Sequence, residues 1–452
     1  MAERSAFGIV PKPPWPNARR SEKRPEPPAA HPNTPPHSTS PLRIPIITDQ
    51  NITNANTLSA TDPHRSSTAS WWQQWRDDMP VTHRHAYFDH AAVGPLTGSG
   101  AAAIAAFAKE AAECGDVNWP SWNARLGRIR ELAAQMIHAD KASIALIPNT
   151  STGIATVAEG LDWRSGDSVV LPDHEFPSNL FPWQNQRTRG VSVRTVPRRD
   201  GAVHVDDLLD ACDASTRLIS LSWVTYDVGF RMQLGRLVDA AHRRGILVFV
   251  DAIQGFGMYP LSIEETPVDF LAADGHKWLL GPEGFGVLMV RPQVRERLRP
   301  INVGWASVKN SFDYAHPQLV LRDDAVRFES GSGNMVAAAG LLPSLERFVD
   351  VQQTHGVDAI QQRVLGLAHE VTEKLRSTGA IVRRSDDPDH QSGIVNFTLR
   401  GIDPASIRTA AADAGVILSC RGGGVRAAVH VYNDSDDIDR LIDVVRHASR
   451  GS

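Results

Sequence analysis

The chain has 452 residues, with 47 lysines and arginines against 51 aspartates and glutamates and a formal net charge of −4. Length alone suggests two or three domains with a large core, and the charge balance points to neither nucleic acid nor an anionic membrane as a partner. Three cysteines (Cys114, Cys212, Cys420) lie far apart without a CxxC pair, which argues against a disulfide framework or a structural zinc and fits a reducing cytoplasm.

Residues 1–78 read as a disordered extension. Prolines cluster from Pro11 to Pro36, and Ser, Thr and Asn follow, leaving little to build a core. Such a segment serves either as an inert extension or as a partner-binding arm. Met79 is an alternative start, because recognisable folded sequence begins right after it. Trp71, Trp72 and Trp75 suit a short helix docked on the body. His83 and His85 have no third ligand at metal spacing and read as surface histidines, so no metal is expected. No apolar h-region follows Met1, and no run approaches the ~20 apolar residues of a membrane helix.

After the extended segment Tyr87–Pro95, helices are expected at about 98–113 and 121–138. The second keeps Leu126, Ile129, Leu132, Ala133 and Met136 on one face. Strand and helix then alternate. Strands fall at 143–147, 169–171, 191–196, 218–221, 246–250, 270–273 and 287–290, with helices near 152–160, 178–187, 206–212 and 234–244. This alternation predicts an α/β domain over 79–330, built on a mostly parallel seven-stranded sheet covered on both faces. Beyond 330 the rhythm changes to two long helices, 335–353 and 357–376. Short strands follow at 380–384, 393–399, 415–419 and 425–431, with helices at 404–414 and 435–448. Residues 331–452 therefore read as a smaller C-terminal α+β domain.

The chemistry concentrates between 246 and 290. Ile246-Leu247-Val248-Phe249-Val250 is a buried parallel strand by composition, and it ends on Asp251, where open α/β sheets place ligands. The next strand leads into Asp274-Gly275-His276-Lys277-Trp278, followed by Gly281-Pro282-Glu283-Gly284. An acid at one strand end and a lysine at the next suit pyridoxal phosphate (PLP) chemistry. The lysine forms a Schiff base, and the carboxylate keeps the pyridine nitrogen protonated.

Asp251-Ala252-Ile253-Gln254 together with Gly275-His276-Lys277-Trp278-Leu279-Leu280-Gly281-Pro282-Glu283-Gly284 resembles the class V aminotransferases, PLP enzymes of fold type I. That family includes cysteine desulfurases and isopenicillin-epimerase-like proteins. The resemblance implies Lys277 as the Schiff-base lysine, Asp251 at the ring nitrogen, and Gln254 and Thr225 (beside Tyr226) at the ring hydroxyl. It places Phe176 on the ring face, and Thr150, Ser151, Thr152 and His276 at the phosphate. Asp274 departs from the family, which has Ser or Thr there; it is expected to turn from the phosphate toward a cation. Ser332, in Gly331-Ser332-Gly333, resembles the loop that reaches a partner subunit's phosphate, implying a homodimer with shared sites. Arg426, with Arg421 as second candidate, resembles the grip on a substrate carboxylate.

The function implied is a PLP enzyme acting on a small amino acid, an aminotransferase or a related epimerase or lyase. A cysteine desulfurase or selenocysteine lyase is the alternative. It is disfavoured because Cys420 sits at a strand end rather than on a mobile loop. A third class is a non-catalytic PLP-fold scaffold, against which an intact Lys277 and Asp251 speak.

Overall fold

The computed structural model describes residues 70–199 and 201–450. Strands are numbered in chain order. β1 is Ala86–Tyr87, β2 Ile144–Ile147, β3 Ser168–Pro172, β4 Ser192–Val196, β5 Thr216–Ser222, β6 Leu247–Asp251, β7 Phe270–Asp274 and β8 Gly286–Val290. The chain closes with β9 Ile381–Arg383, β10 Ile394–Thr398, β11 Val416–Ile417, β12 Ser419–Arg421 and β13 Gly424–Ala428.

All seven strands expected between 143 and 290 form and join one sheet, in the order β2-β8-β7-β6-β5-β3-β4. The strands from β3 to β7 run parallel, while β8 is antiparallel to both β7 and β2. Every residue of β3, β6, β7 and β8 is buried, as helices on both faces require and as their unbroken apolar runs foretell. Register sets Ser222 opposite Asp251 and Asp251 opposite Ala272. The carboxyl ends of β5, β6 and β7 therefore open side by side, where this architecture gathers ligands.

The second sheet is antiparallel, in the order β12-β13-β10-β9. Here the structure corrects the expected strands at 415–419 and 425–431. Val416–Ile417 leaves this sheet to pair in parallel with β1. Ser419–Arg421 instead forms a hairpin with β13 across Gly422 and Gly423, both at positive φ (56° and 74°). Two adjacent residues at positive φ make the tight turn whose twist matches a hairpin, and glycine adopts it without strain.

The 1–78 extension also needs a correction at its end. Trp71–Asp77 is a helix whose Trp75 is 0% exposed, edge-on to Phe348 at 4.8 Å. Arg76 ties it to Asp434 and Asp437 at 2.9 and 2.8 Å. Residues 70–78 thus belong to the folded body, as the tryptophan spacing suggests, and a chain begun at Met79 would lack Trp75. The expectation for residues 1–69 lies outside the described residues. Among the described residues no helix is long and apolar enough to cross a membrane, and no cluster of three metal-ligating side chains occurs.

Candidate active site

A cavity of about 350 Å³ lies at the carboxyl ends of β6 and β7. Thr150, Ser151, Phe176, Asp251, His276, Lys277, Arg421 and Arg426 all line it, with Tyr226, Asp274 and Glu283. These residues span 277 positions of the chain; the large sheet brings most of them together, and the antiparallel second sheet supplies Arg421 and Arg426.

Asp251 ends β6 and is buried, with Oδ1 accepting the Ile253 N–H at 3.1 Å. Burial pushes its carboxyl up to about 6, while that hydrogen bond and the Lys277 charge pull it down. Lys277 sits on the turn after β7 and is also buried. Burial lowers its amine to about 8 against the pull of Asp251, and the charges of Arg426 and Arg421 push the same way as burial. A buried lysine with a depressed pKa is a usable nucleophile near neutral pH. Its Nζ stands 5.6 Å from the ring centroid of Phe176, which is 41% exposed and edge-on to Tyr226 at 5.4 Å.

The lysine's backbone is pinned from behind. Gly94 donates its N–H to the His276 carbonyl at 2.6 Å, and a Cβ on Gly94 would stand 2.1 Å from the Lys277 carbonyl oxygen. Only glycine permits that approach. His430 of the second sheet's flank is fully buried, its Nε2 2.9 Å from the Trp278 carbonyl.

On the opposite wall the helix Thr150–Gly160 points its N-terminus at the cavity. Thr150 Oγ1 is buried there with no protein partner, and Ser151 Oγ donates to Ser178 Oγ at 2.6 Å. An unpaired hydroxyl beside free N–H groups at a helix start is a fitting cradle for an anion such as phosphate. Together with Lys277 and Asp251, these donors fit PLP. Asp274 lies with Oδ1 3.0 Å from His276 Nδ1. Both atoms lack a hydrogen-bond partner among the described residues, and Asp274 lines the same cavity as Thr150 and Ser151.

Four expected site residues lie elsewhere. Thr152 is held by the helix cap, its N–H and Oγ1 both donating to Asn149 Oδ1, so the first turn leaves only Thr150 and Ser151 facing the cavity. Thr225 Oγ1 accepts the Phe230 N–H at 3.0 Å and closes a turn; its neighbour Tyr226 is the one that lines the cavity. Gln254 is a clasp, donating to the Ala91 carbonyl at 2.9 Å and accepting from Trp278 Nε1 at 2.7 Å. Ser332 lines a separate cavity of about 430 Å³ with Thr152, Leu146 and Gly284.

Arg426 is no edge-strand surface residue. It is 1% exposed on β13, between β12 and β10, and forms an ion pair with Asp89 at 3.1 Å. Two acids escaped the sequence reading. Asp89 carries no local signal, because its partner is 337 positions away. Glu175, next to Phe176, accepts both the N–H and the hydroxyl of Ser222. Burial pushes it up to about 7, with the Asp251 charge adding to the effect. Its signal is a lone acid in an otherwise uncharged Glu175–Trp183 stretch.

A family model described as Aminotransferase class-V matches residues 120–441. A probable cysteine desulfurase of Methanothermobacter thermautotrophicus is 31% identical over 400 residues, spanning 81% of this chain and 95% of the relative. Isopenicillin N epimerase of Streptomyces clavuligerus is 28% identical over 406 residues, 83% of this chain and 97% of that one. Among solved structures, apo cysteine desulfurase of Thermococcus onnurineus superposes with a TM-score of 0.75 at 22% identity, covering 84% of this chain and 98% of that one. The cystine C–S lyase C-DES, in complex with its product cysteine persulfide, does so with a TM-score of 0.76 at 23% identity, covering 81% and 99%. At these identities the structural likeness is one of fold: fold type I, as expected.

Proposed function

Because the chain belongs to the class V aminotransferases, enzymes whose cofactor is PLP, we propose that this cavity performs Cα-proton chemistry on a small amino acid. The observation that carries the reading is the meeting of buried Lys277, buried Asp251 and Arg426 in one cavity. Bound there, the cofactor supplies an electron-withdrawing ring that stabilises charge at the substrate's Cα.

In this reading Asp251 holds the ring nitrogen, and Thr150, Ser151 and His276 hold the phosphate at the helix start. Phe176 covers the ring face; phenylalanine stacks but transfers no proton, so that duty falls to Lys277. Lys277 Nζ would bind the cofactor covalently and, once released, take the proton from the substrate's Cα. Arg426 holds the α-carboxylate, and the walls Ala91, Ala92 and Val93 suit a short side chain. Transamination, epimerisation and β-elimination all share the proton step. The relative named isopenicillin N epimerase supports an outcome of this kind.

The second reading, cysteine desulfurase, is favoured by the names of several relatives. The geometry weighs against a persulfide on Cys420. Side chains alternate along a strand: Ser419 bonds Arg426 and Arg421 lines the cavity, which turns Cys420 to the opposite face. There it packs partly buried against the core. Burial also pushes its thiol up, the wrong direction for a nucleophile.

A homodimer with shared sites is part of the proposal. The loop before Ser332 exposes Phe312, Tyr314 and Leu319 at 60%, 76% and 74%, an apolar face that a second copy would bury. Ser332 lies outside its own chain's site, which supports a reach into the partner's.

Incubating the protein with an amino-acid panel, with and without a keto acid, tests the reading. Keto-acid-dependent turnover identifies an aminotransferase, racemised substrate an epimerase, and sulfide or a keto acid without an amino acceptor a lyase. Cys420→Ser is expected to leave any of these within about two-fold; loss of sulfide release on that substitution would restore the persulfide route. No turnover, together with no borohydride-trapped cofactor on Lys277, would sink the proposal.

A further inference from the structure

The guanidinium of Arg426 is already partly spent. Nε donates to Ser419 Oγ at 3.1 Å, Nη1 to the Tyr226 carbonyl at 2.6 Å and Nη2 to Asp89 Oδ1 at 3.1 Å. Asp89 Oδ1 also accepts from Ser419 Oγ at 2.6 Å, so Asp89 and Ser419 grip the arginine as a unit. Asp89 arrives there because β1 pairs with β11 and Asp89 itself bridges to Ala428 at the end of β13. A guanidinium has five N–H groups. Three are taken, leaving one on each terminal nitrogen of an arginine that lines the cavity.

That arrangement aims Arg426 but cancels its charge. A carboxylate meeting only the Asp89–Arg426 pair would bring an unbalanced negative charge into a poorly hydrated site, which is costly. Of the cavity's other basic side chains, Lys277 feels the Asp251 charge and His276 Nδ1 stands 3.0 Å from Asp274 Oδ1, while the acid Glu283 lines the cavity with no ion-pair partner among the described residues. Arg421 is different. It lines the same cavity, its side chain donates only to the Cys420 carbonyl at 2.8 Å, and it has no ion-pair partner among the described residues. Both arginines line the same cavity as Lys277.

We infer that carboxylate recognition is divided: Arg426, aimed and neutralised by Asp89 as a positioning residue, supplies two fixed hydrogen bonds, and Arg421 supplies a positive charge not already engaged in an ion pair. The inference rests on the amino-acid reading above and goes beyond it by giving Asp89 and Arg421 separate duties.

The test titrates the cofactor-loaded protein with L-alanine and L-cysteine, follows cofactor absorbance, and compares low with high salt. Arg421→Gln should raise half-saturation about 10-fold and flatten its dependence on salt, since the screened charge is gone. Arg421→Lys should stay near the unsubstituted value, because charge alone is needed there; Arg426→Lys should not, because the planar fork is lost. Asp89→Asn keeps an acceptor oxygen for Nη2 and Ser419 while removing the countercharge, and should lower half-saturation about 3-fold. Asp89→Ala, which releases the grip, should raise it. Unchanged half-saturation in Arg421→Gln, or a rise in Asp89→Asn, overturns the inference while leaving the amino-acid reading intact. If the unsubstituted protein shows no saturable response to either amino acid, the amino-acid reading fails and takes this inference with it.

Discussion

Asp251→Asn should stabilise the cofactor-free protein while destroying its grip on the cofactor. The substitution keeps an oxygen to accept the Ile253 N–H and nearly the same volume, so what it removes is charge. Burial raises the Asp251 carboxyl from 3.8 to about 6. Between those values the native state binds more protons than the unfolded chain. The penalty is therefore absent below pH 3.8, grows as pH rises, and is complete above about pH 6. At 1.36 kcal/mol per pH unit it reaches about 3 kcal/mol at pH 7.5, and the same linkage leaves about 1 kcal/mol at pH 4.5. Urea unfolding of apoprotein at the two pH values measures it. The asparagine variant should be more stable by about those amounts and should lose cofactor affinity. A variant less stable than the parent at pH 7.5, or a difference that ignores pH, would refute the claim that Asp251 is a buried, strained charge waiting for a cation.

Capture of PLP by apoprotein should speed up as pH rises and level off above about 8, because only the neutral Lys277 amine attacks and burial lowers it to that value; stopped-flow absorbance reads the rate, and a profile flat from pH 7 to 9 would contradict it. Trp75→Ala should cost about 3–5 kcal/mol by urea midpoint. Trp75→Phe should cost less, because the buried indole N–H has no partner and its removal relieves a desolvation penalty. Phe312→Asp places a charge on the exposed apolar face and should shift sedimentation toward monomer; an unchanged mass would move the proposed dimer contact elsewhere.

Much of the fold was legible because its signals are local. Ile246–Val250 and Val287–Val290 are apolar without alternation, which only a doubly covered sheet explains, and both became buried strands. Asp251 and Lys277 were legible for the same reason: one closes a buried strand, the other stands on the turn after the next, and parallel strands bring their carboxyl ends to one edge. The failures were local too, but decided by competition. The Thr152 hydroxyl is taken by the Asn149 side chain that caps the helix and the Thr225 hydroxyl by the backbone of a turn, leaving the cavity to Thr150 and Tyr226. The Gly422–Gly423 hairpin was hidden because adjacent glycines also read as a plain linker. Its turn decides that Arg421 and Ser419 share one face and that Cys420 does not.

From residue order alone came the α/β class, the seven strands and the lysine–aspartate pairing that names the cofactor, since apolar periodicity and strand-end charges act over a few residues. Tertiary structure alone decided that Asp89 pairs with Arg426 across 337 positions and that Gly94 presses on the lysine's backbone. Those contacts arise only when distant segments dock, and burial then determines which charges are paired and which remain free to meet a ligand.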